Sequence, residues 1–475
     1  MFDEEYFKSE EFKEILAKYE AAEASGLGFY MDVDDLCDVA DYYQANNQYE
    51  AALQAIESAL DIAPTATLPL VFKARDAINN GDFQAAQEYL DCIEDKTDVE
   101  YKYAVGELLI ALGKTDEADN WFLEIYNTLD ADDQRDFLMD VATIYTDYEL
   151  PLFAVNWMMR GRGDTSEEFQ ELMARTLFGL GKYDDSERIF KELIDRNPFQ
   201  KRYWNALANT QFMKEDYSAS VTSSEYAIAI DPEDAEGILS KANALYRLDN
   251  FEEALTYYER YNAKVADDAF GLLHEATCLI SLTRYEYAVE LLKNAEQCAE
   301  PDSPYMVDIY QELAFALSEL HEADAALDYL NKTDMLDCDH ADMYVIKGHV
   351  LLSNGRYKDA ETMFKKAIKE SGHSPQVMLR IFVSLYDNDY VHVSYLFFKR
   401  FFDMVDKDFN EGYSYMALCC WFLKYYDEFM YYLREAVKRN KKEARTVLSD
   451  LFPTGMAPED YYPYMSAKLG IKDKE

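Results

Sequence analysis

A chain of 475 residues that is 49% apolar, with only 17 Gly and 11 Pro, can bury a large core, so its composition argues against a disordered or linker-rich protein. Its 92 acidic residues outnumber its 46 basic ones and give a formal net charge of −46. That charge disfavours nucleic acid as a partner, because a phosphate backbone is bound by a basic surface, and it favours a basic or neutral protein or peptide.

The acidic surplus is concentrated towards the N-terminus. Residues 1–160 contain 36 Asp and Glu against 10 Lys and Arg, whereas residues 391–475 contain 13 of each kind. One end of the molecule is therefore predicted to carry an acidic field and the other end to be neutral.

Three features predict a cytoplasmic protein. Seven cysteines, an odd number without Cys-x-x-Cys spacing, are typical of reduced and mostly buried thiols. The first residues, MFDEEYFKSEEFKEIL, are acidic where a secretory signal needs a basic start and an apolar core. No apolar run approaches the ~18 residues that span a membrane, so we expect no membrane insertion.

Residues 1–32 are predicted to form an N-terminal capping helix. Apolar side chains recur there at the spacing of one helix face: Phe12, Ile15, Leu16 and Tyr19. A cap is expected wherever a stack of helices would otherwise expose the apolar face of its last member.

From residue 33 onward the sequence repeats at intervals of 32 to 38 residues. Residues 204–234, WNALANTQFMKEDYSASVTSSEYAIAIDPED, align without a gap with residues 170–200 and 238–268, so that Pro198 and Pro232 fall one period apart. One column, small in all repeats but one, follows the repeat along the chain: Ala40, Ala74, Gly106, Ala142, Ala174, Ala208, Ala242, Ala276, Ala314, Gly348, Phe382 and Ala417.

Each repeat predicts two antiparallel helices. In residues 201–214, Trp204, Leu207 and Ala208 lie along one side of a helix, and residues 217–230 repeat that spacing. The three residues between them are short enough for a hairpin, and Pro232 cannot continue the second helix. Because one hairpin cannot bury its own apolar face, the hairpins are expected to stack in series.

Over residues 33–440 this pattern resembles the tetratricopeptide repeat family. Repeats of that family contain, in this order, a bulky residue, Leu-Ala or Leu-Gly, Tyr, a Gly-aromatic turn, Ala, an aromatic residue, Ala and Pro. The resemblance implies an all-α fold, namely an α-solenoid of about twelve helical hairpins forming a right-handed superhelix with capping helices at both ends. A helical-pair solenoid of longer period is the alternative.

Three places depart from the regular repeat. Four extra residues near 299–305, a segment with two prolines, predict a loop between an N-terminal array (33–300) and a C-terminal array (301–440). Residues 441–475 are expected to form C-terminal capping helices. Phe382 stands where a small residue belongs, so the helices of its hairpin should splay. Pro151 falls at the start of a second helix, where its missing N–H is harmless.

No motif predicts catalysis or a cofactor. His340 lies beside Cys338, but without a second pair at ligand spacing this predicts a polar turn rather than zinc. Arg162-Gly163-Asp164 resembles the integrin-binding tripeptide, yet helix capping explains it in a chain without a predicted secretion signal. We therefore predict no catalytic residue, no metal and no cofactor. An enzymatic alternative survives only if the turn with Cys338 and His340 or a carboxylate pair proves functional, and metal bound to the purified protein would revive it.

In the tetratricopeptide family the first helices line the concave face, so columns on these helices are expected to contact a partner. Asn side chains can donate and accept hydrogen bonds with a peptide backbone, and aromatic rings can pack against peptide side chains. Asn and aromatic residues are also frequent at these positions in the family, which is the alternative explanation. The columns are Arg175, Asn209 and Asn243, and, three residues later, Phe178, Phe212 and Tyr246. The basic clamp by which family members hold a chaperone's C-terminal carboxylate is missing from the corresponding positions: Asn205, Asn209, Ser240, Phe270 and His274.

The first helices of the N-terminal repeats also carry carboxylates at helical spacing. They are Asp34, Asp38 and Asp41 in the first repeat, Glu100 and Glu107 in the third, and Asp136 and Asp140 in the fourth. Two interpretations stay open. The first is a solvated acidic face, whose like-charge pairs each cost about a few tenths of a kcal/mol. The second is a site for Lys- or Arg-rich segments, whose binding would weaken with salt.

Aromatic residues concentrate in residues 385–405 and 413–442. Most are predicted to be core, and four core positions are Phe398, Phe401, Leu433 and Ala436. The surplus of Tyr is compatible with a second, apolar interface and with self-association.

These features predict a non-catalytic scaffold that binds a protein or peptide in its concave groove, with the acidic N-terminal half favouring basic partners. The alternative is a co-chaperone or regulatory module that uses the same groove to handle unfolded clients for a secretion or envelope pathway.

Overall fold

The regular elements are all helices over the residues that the computed structural model describes, which are 4–7, 9–25, 31–46, 48–161, 163–300 and 303–470. The predicted all-α class is therefore confirmed. The chain divides into two compact units, Met1–Tyr226 and Ala227–Glu475, and the division falls inside a helix of a regular repeat. The boundaries that we predicted at residues 32, 300 and 440 stay predictions.

The first unit consists of two N-terminal helices followed by helical hairpins. The helices are α1 (Glu4–Phe7), α2 (Glu10–Ser25), α3 (Val33–Ala45), α4 (Tyr49–Ile62), α5 (Thr67–Asn79), α6 (Phe83–Cys92), α7 (Val99–Ala111), α8 (Thr115–Tyr126), α9 (Ala131–Asp147), α10 (Pro151–Met158), α11 (Glu167–Gly179), α12 (Tyr183–Arg196) and α13 (Lys201–Met213). Helix α14 (Tyr217–Ile230) contains the division, and a short 3-10 helix, Met159–Gly161, follows α10.

The second unit continues the hairpins and ends in shorter helices. Its α-helices are α15 (Ala235–Arg247), α16 (Phe251–Asn262), α17 (Ala269–Ser281), α18 (Tyr285–Cys298), α19 (Met306–Glu319), α20 (Ala323–Lys332), α21 (His340–Ser353), α22 (Tyr357–Glu370), α23 (Pro375–Asp387), α24 (Val391–Met404), α25 (Tyr413–Phe422), α26 (Tyr426–Arg439), α27 (Lys441–Leu448) and α28 (Tyr461–Leu469). Its short 3-10 helices are Thr333–Met335, Ser449–Leu451 and Pro458–Asp460.

The repeat period located these helices closely. From α3 to α26 the odd-numbered helices are the first helices of hairpins and the even-numbered ones are the second helices. Helices α13 and α14 match the predicted spans 201–214 and 217–230 to within one residue. Pro151 is at the start of α10, as predicted. Three-residue links join the helices of most hairpins. One residue of such a link often has a left-handed backbone conformation, for example Gly81 with a φ of 74° and Glu215 with a φ of 61°.

Part of the acidic surplus caps first helices. The Asp98 carboxylate accepts a hydrogen bond from the Glu100 amide (2.8 Å), and Asp234 accepts one from the Gly237 amide (2.9 Å). Asp32, Asp268 and Asp339 cap α3, α17 and α21 in the same way. Since such a cap is worth about 1 kcal/mol, these carboxylates have a structural role.

The small-residue column is the line along which the helices of each hairpin meet. Its alanines, from Ala40 to Ala417, have no exposed surface. Its two glycines, Gly106 and Gly348, have no room for a methyl group, because an added Cβ would overlap the rings of Phe122 and Phe364. Close approach of two backbones therefore explains this column.

We expect Gly106→Ala to lower the free energy of unfolding by about 1–3 kcal/mol, although alanine is the better helix former. The Phe122 ring is fully buried and packed edge-on against Phe137 and Trp157, so it cannot retreat. Urea unfolding followed by circular dichroism measures the loss. In a Phe122→Leu background, which provides space, the loss should shrink, and an equal loss in both backgrounds would contradict the overlap.

Splayed helices were predicted for the hairpin of α23 and α24. These helices pack against each other more sparsely than those of the neighbouring hairpins α21–α22 and α25–α26, and about as sparsely as those of α7–α8, which has Gly106 at the same position. The splay therefore stays a prediction. Phe382 occupies the small-residue position, and its ring centroid lies 5.4–5.6 Å from those of Phe397, Phe398 and Phe401. An aromatic ring thus fills the space that alanine leaves to the partner helix elsewhere.

Both ends of the described chain pack against the nearest hairpins. Helix α2 contacts α3 and buries Phe12 and Tyr19, while α27 contacts α25 and α26 and α28 contacts α26. Phe452 and Tyr461 stack there with centroids 3.8 Å apart. Among the helices described, none has the length and apolar character needed to cross a membrane.

Candidate peptide-binding groove

A cavity of about 500 Å³, lined by both charged and apolar side chains, lies in the first unit against the first helices α3, α5 and α7. Side chains of α1 and α4 complete its walls. We call it the N-terminal cavity, and its lining residues are Tyr6, Phe7, Cys37, Asp38, Asp41, Gln44, Tyr49, Ile56, Leu68, Val71, Phe72, Arg75, Asp76, Asn79 and Glu100. Four carboxylates and one guanidinium thus line one space.

Three charged residues hold equivalent positions in the first three repeats. Asp41, Arg75 and Glu107 each directly follow the small residue of their first helix. Acid, base and acid therefore alternate from α3 through α5 to α7. The acidic columns that we predicted are interrupted by one cation.

The Arg75 guanidinium connects two carboxylates of α7. Its Nη2 donates to Glu107 Oε1 (2.8 Å), its Nε donates to Glu107 Oε2 (3.0 Å), and its Nη1 lies 3.2 Å from Glu100 Oε2. Burial by itself would lower the pKa of Arg75, but Glu107 and then Glu100 outweigh it and hold the pKa above its usual value. Glu107, only 7% exposed, is therefore held by a two-point ion pair.

Asp41 is the carboxylate with the most unusual surroundings in the N-terminal cavity. Burial, followed by the charges of Asp38 and Glu100, raises the pKa of Asp41 to about 6, although Arg75 acts in the opposite direction. Burial and like charges, rather than a hydrogen bond, cause this shift. The negative charges around Asp41 are thus incompletely neutralised.

Asp38 and Asp34, the other two residues of α3 that we predicted for the acidic surface, differ in their contacts. Asp38 Oδ2 accepts a hydrogen bond from Tyr6 Oη (2.7 Å), and this bond raises the pKa of Tyr6 to about 12. Asp34 is exposed and does not line the cavity. Helix α1 therefore reaches the predicted acidic surface and contacts one of its carboxylates.

Asp136 and Asp140 of α9 are exposed and lie outside the lining of the N-terminal cavity. Asp140 accepts a hydrogen bond from Tyr103 Oη (2.7 Å), and Asp136 lies 3.4 Å from Arg135 Nη1. The structure brings Asp38, Asp41 and Glu100 together on one cavity, with Glu107 behind Arg75, and leaves these two carboxylates elsewhere.

The predicted aromatic column packs within hairpins. Phe178, Phe212 and Tyr246 are partly buried, and each meets edge-on the ring that begins the following second helix. These partners are Tyr183, Tyr217 and Phe251, with centroids 5.3–5.5 Å away. Each ring therefore already has a structural contact in its own repeat, and its role in binding stays a prediction.

The polar column has similar internal contacts. Arg175 Nη2 lies 2.9 Å from Asp147 Oδ1, and Asn243 Oδ1 accepts a hydrogen bond from Tyr258 Oη (2.6 Å). Asn209 is partly buried on α13. Arg175 and Asn209 belong to the first unit and Asn243 to the second, and their role in binding also stays a prediction.

Sequence reasoning missed Arg75 and Tyr6. Arg75 could have been found, because it is the basic residue in the column that also contains Asp41 and Glu107. Tyr6 carried no signal, since it lies outside the repeats and reaches Asp38 through the placement of α1.

Cys338 and His340 lie in weak contact with each other. Cys338 Sγ lies 3.8 Å from His340 Nδ1, and burial raises the pKa of the Cys338 thiol. Within the described ranges, no three His, Cys, Asp or Glu side chains are arranged to hold a metal ion. Of the tripeptide Arg162-Gly163-Asp164, Arg162 lies outside the described residues. Asp164 receives Arg135 Nε at 2.8 Å.

No curated protein sequence matches the chain. Among solved structures, yeast Tom70 is 13% identical and gives a TM-score of 0.42, covering 93% of this chain and 99% of that one. PilW, a type IV pilus biogenesis factor, is 16% identical with a TM-score of 0.40, covering 45% and 98%. YrrB, a tetratricopeptide protein with an unusual peptide-binding site, is 18% identical with a TM-score of 0.34, covering 40% and 95%.

Models of the tetratricopeptide repeat match residues 36–65, 172–235 and 341–372. Those segments coincide with the hairpins α3–α4, α11 to α14 and α21–α22. Repeat period, hairpin geometry and family match agree over both units, and the chain therefore belongs to the tetratricopeptide repeat family.

Proposed function

We propose that this protein is a non-catalytic interaction scaffold whose N-terminal cavity takes a basic side chain of a protein or peptide partner. The observation that supports the proposal most directly is Asp41, a partly buried carboxylate in a cavity large enough for a Lys or Arg side chain. The raised pKa of Asp41 means that its ionised form is under-compensated there. A ligand cation would supply the missing charge.

The arrangement of charges on α3, α5 and α7 determines where a basic side chain of the partner would bind. Arg75 already neutralises Glu100 and Glu107 in part, so the acidic surface is not uniformly attractive. Asp38 and Asp41 on α3, with Asp76 on α5, are the carboxylates that remain to receive a cation at the cavity. We infer that a peptide places one Lys or Arg between α3 and α5 while the rest of it follows the first helices.

The affinity for a basic peptide should rise with pH. Above a pH of about 6, Asp41 is ionised and attracts the cation, whereas below it the protonated carboxyl loses that attraction. We expect about a tenfold gain in affinity between about pH 5 and about pH 7.5, for one charge contact in a partly buried site. Fluorescence anisotropy of a short Lys-containing peptide measures it, with the same peptide carrying norleucine for Lys as control.

Salt and a matched variant complete the test. Raising the ionic strength should weaken binding of the Lys peptide. Asp41→Asn should abolish the pH dependence, whereas Asp34→Asn, on the same helix but outside the cavity, should preserve it. Equal affinity of the Lys and norleucine peptides, or an unchanged pH profile in Asp41→Asn, would contradict the proposal.

A pull-down from native cells distinguishes a scaffold from a chaperone. A single stoichiometric partner that is lost with Asp41→Asn supports the scaffold. A spread of unfolded clients, retained by the variant, would favour a module that handles unfolded proteins instead.

A further inference from the structure

An apolar groove of about 510 Å³ lies in the second unit along α22, α23 and α24. Its floor comes from the first helix α23, through side chains such as Met378 and Leu385, and its two walls come from the second helices α22 and α24. It shares no residue with the N-terminal cavity. We call it the second-helix groove.

Both walls are continuous stripes rather than isolated side chains. On α22 the lining residues begin at Tyr357 and end at Ile368, and on α24 they begin at Val393 and end at Met404. Each stripe thus spans 12 positions at helical spacing. This corresponds to about 16 Å of helix, or about three turns. Two parallel walls of this length over a common floor have the shape that an additional helix would fill.

Several wall residues are exposed to a degree that is costly without a cover. Met404 is 74% exposed, Tyr357 is 57% exposed, and Phe397 and Val393 are 40% and 38% exposed. Val393, Phe397 and Met404 follow one another along α24, and Tyr357 lies on the facing wall of the same groove. Contiguous apolar patches commonly mark interaction sites.

Phe382 is an aromatic residue at the floor of the groove, at the position that is small in the other hairpins. It stacks on Phe397, with ring centroids 5.5 Å apart. In the preceding hairpin Gly348 lets Phe364 pack directly against its backbone. The small-residue column thus contributes an aromatic ring to the groove lining in this hairpin.

The charges at the rim favour an acidic partner. Lys365, Glu361 and Arg400 line the groove, and Lys365 pairs with Glu361 at 2.6 Å. Arg400 on the opposite wall is exposed and leaves the rim with a net positive charge. In a chain of net charge −46, a positive apolar groove is complementary to a helix with apolar residues on one face and Glu or Asp beside them.

We propose that the second-helix groove binds an acidic amphipathic helix of a partner protein, with its apolar face against α22, α23 and α24 and its carboxylates beside Arg400 and Lys365. This interaction surface is independent of the N-terminal cavity and its basic ligand. The protein would then hold two partners of opposite charge.

A peptide titration tests the proposal. The probes are fluorescent helical peptides of ~14 residues with Leu at the spacing of one helix face and Glu beside the stripe, compared with the same peptides carrying Lys in place of Glu. We expect the full-length protein to bind the Glu peptides at least about threefold more tightly than the Lys peptides. Hydrogen exchange should show protection of α22 and α24 on binding.

Variants of exposed residues place the peptide without disturbing the core. Met404→Asp should weaken binding of the Glu peptides about tenfold or more, whereas Met335→Asp, at a 92% exposed Met of the same unit, should leave it unchanged. Arg400→Glu should reverse the preference between Glu and Lys peptides.

Three results would overturn the proposal. They are no binding by any Glu peptide, equal binding by Met404→Asp and wild type, and a preference that Arg400→Glu does not alter. Light scattering of the protein alone tests whether a second copy of this chain occupies the groove instead. A dimer that dissociates in Met404→Asp would mean that a second copy of this chain fills the groove, and the acidic-helix partner would be wrong.

Discussion

Replacing Arg75 with alanine is expected to destabilise the protein by about 2–4 kcal/mol. The variant leaves Glu107 buried with its charge uncompensated, and a buried ion without its partner costs more than the intact pair contributes. The expected loss of stability is smaller than for a fully buried ion pair because the Arg75 side chain is 40% exposed. Urea unfolding at neutral pH measures it.

A double-mutant cycle separates the ion pair from other roles of Arg75. In Arg75→Ala with Glu107→Gln, the stranded charge is gone, so the second substitution should recover part of the loss. Arg75→Lys should recover less than full stability, because an ammonium cannot make the two-point contact with Glu107 and also reach Glu100. Additive effects of Arg75→Ala and Glu107→Gln would show that the pair is not coupled.

Replacing Asp41 with asparagine is expected to have the opposite sign and to stabilise the protein at pH 7 by about 2–3 kcal/mol. The pKa of Asp41 is raised to about 6 in the folded protein, above the ~3.9 of an unfolded chain. The folded state therefore binds the proton more tightly, and the wild type loses stability as the pH rises from about 4 to about 6. The asparagine amide does not ionise, so the variant avoids this loss.

The pH profile identifies the cause. The stabilisation by Asp41→Asn should be near zero at about pH 4 and reach its full size above about pH 7. Asp34→Asn is the matched control. It removes an exposed carboxylate from the first turn of α3, where negative charge is favourable, and should destabilise by about a few tenths of a kcal/mol at neutral pH. A gain from Asp41→Asn that does not vary with pH would contradict a buried, under-compensated carboxylate.

The expected effects of these two substitutions have opposite signs, because one residue of the N-terminal cavity stabilises the folded protein and the other destabilises it. Arg75 holds α5 to α7, whereas Asp41 on α3 is retained at a cost to stability. A residue that destabilises the free protein and would be satisfied by a ligand is the usual trade-off of a binding site. The same reasoning makes loss of peptide binding together with gain of stability the distinguishing result for Asp41→Asn.

The sequence predicted those features of the site that recur with each repeat, but not the contacts between side chains of different helices. The repeat period placed Asp41, Arg75 and Glu107 at equivalent positions of successive first helices, and the acidic count drew attention to α3 and α7. The period could not show that Arg75 pairs with Glu100 and Glu107. That pairing depends on the separation of α5 and α7 and on side-chain conformation. Nor could it show Tyr6 on Asp38, because α1 is outside the repeat.

The second-helix groove illustrates the same division. Phe382 in a column of small residues predicted a splayed hairpin, since the size of one side chain limits how closely two helices approach. That a groove forms here, with Met404 and Val393 on one wall and Tyr357 on the other, was decided by the packing of three helices and by where each stripe faces.

By itself, the sequence determined the helices, their pairing into hairpins and the family, because apolar spacing, small residues and turn residues act locally and recur with every repeat. Only the tertiary structure decided which carboxylates are neutralised, which one keeps a raised pKa and where apolar side chains stay uncovered. Burial and charge pairing depend on neighbours about 30 residues away in the chain, and the strength of each interaction changes steeply over the few ångströms that packing sets.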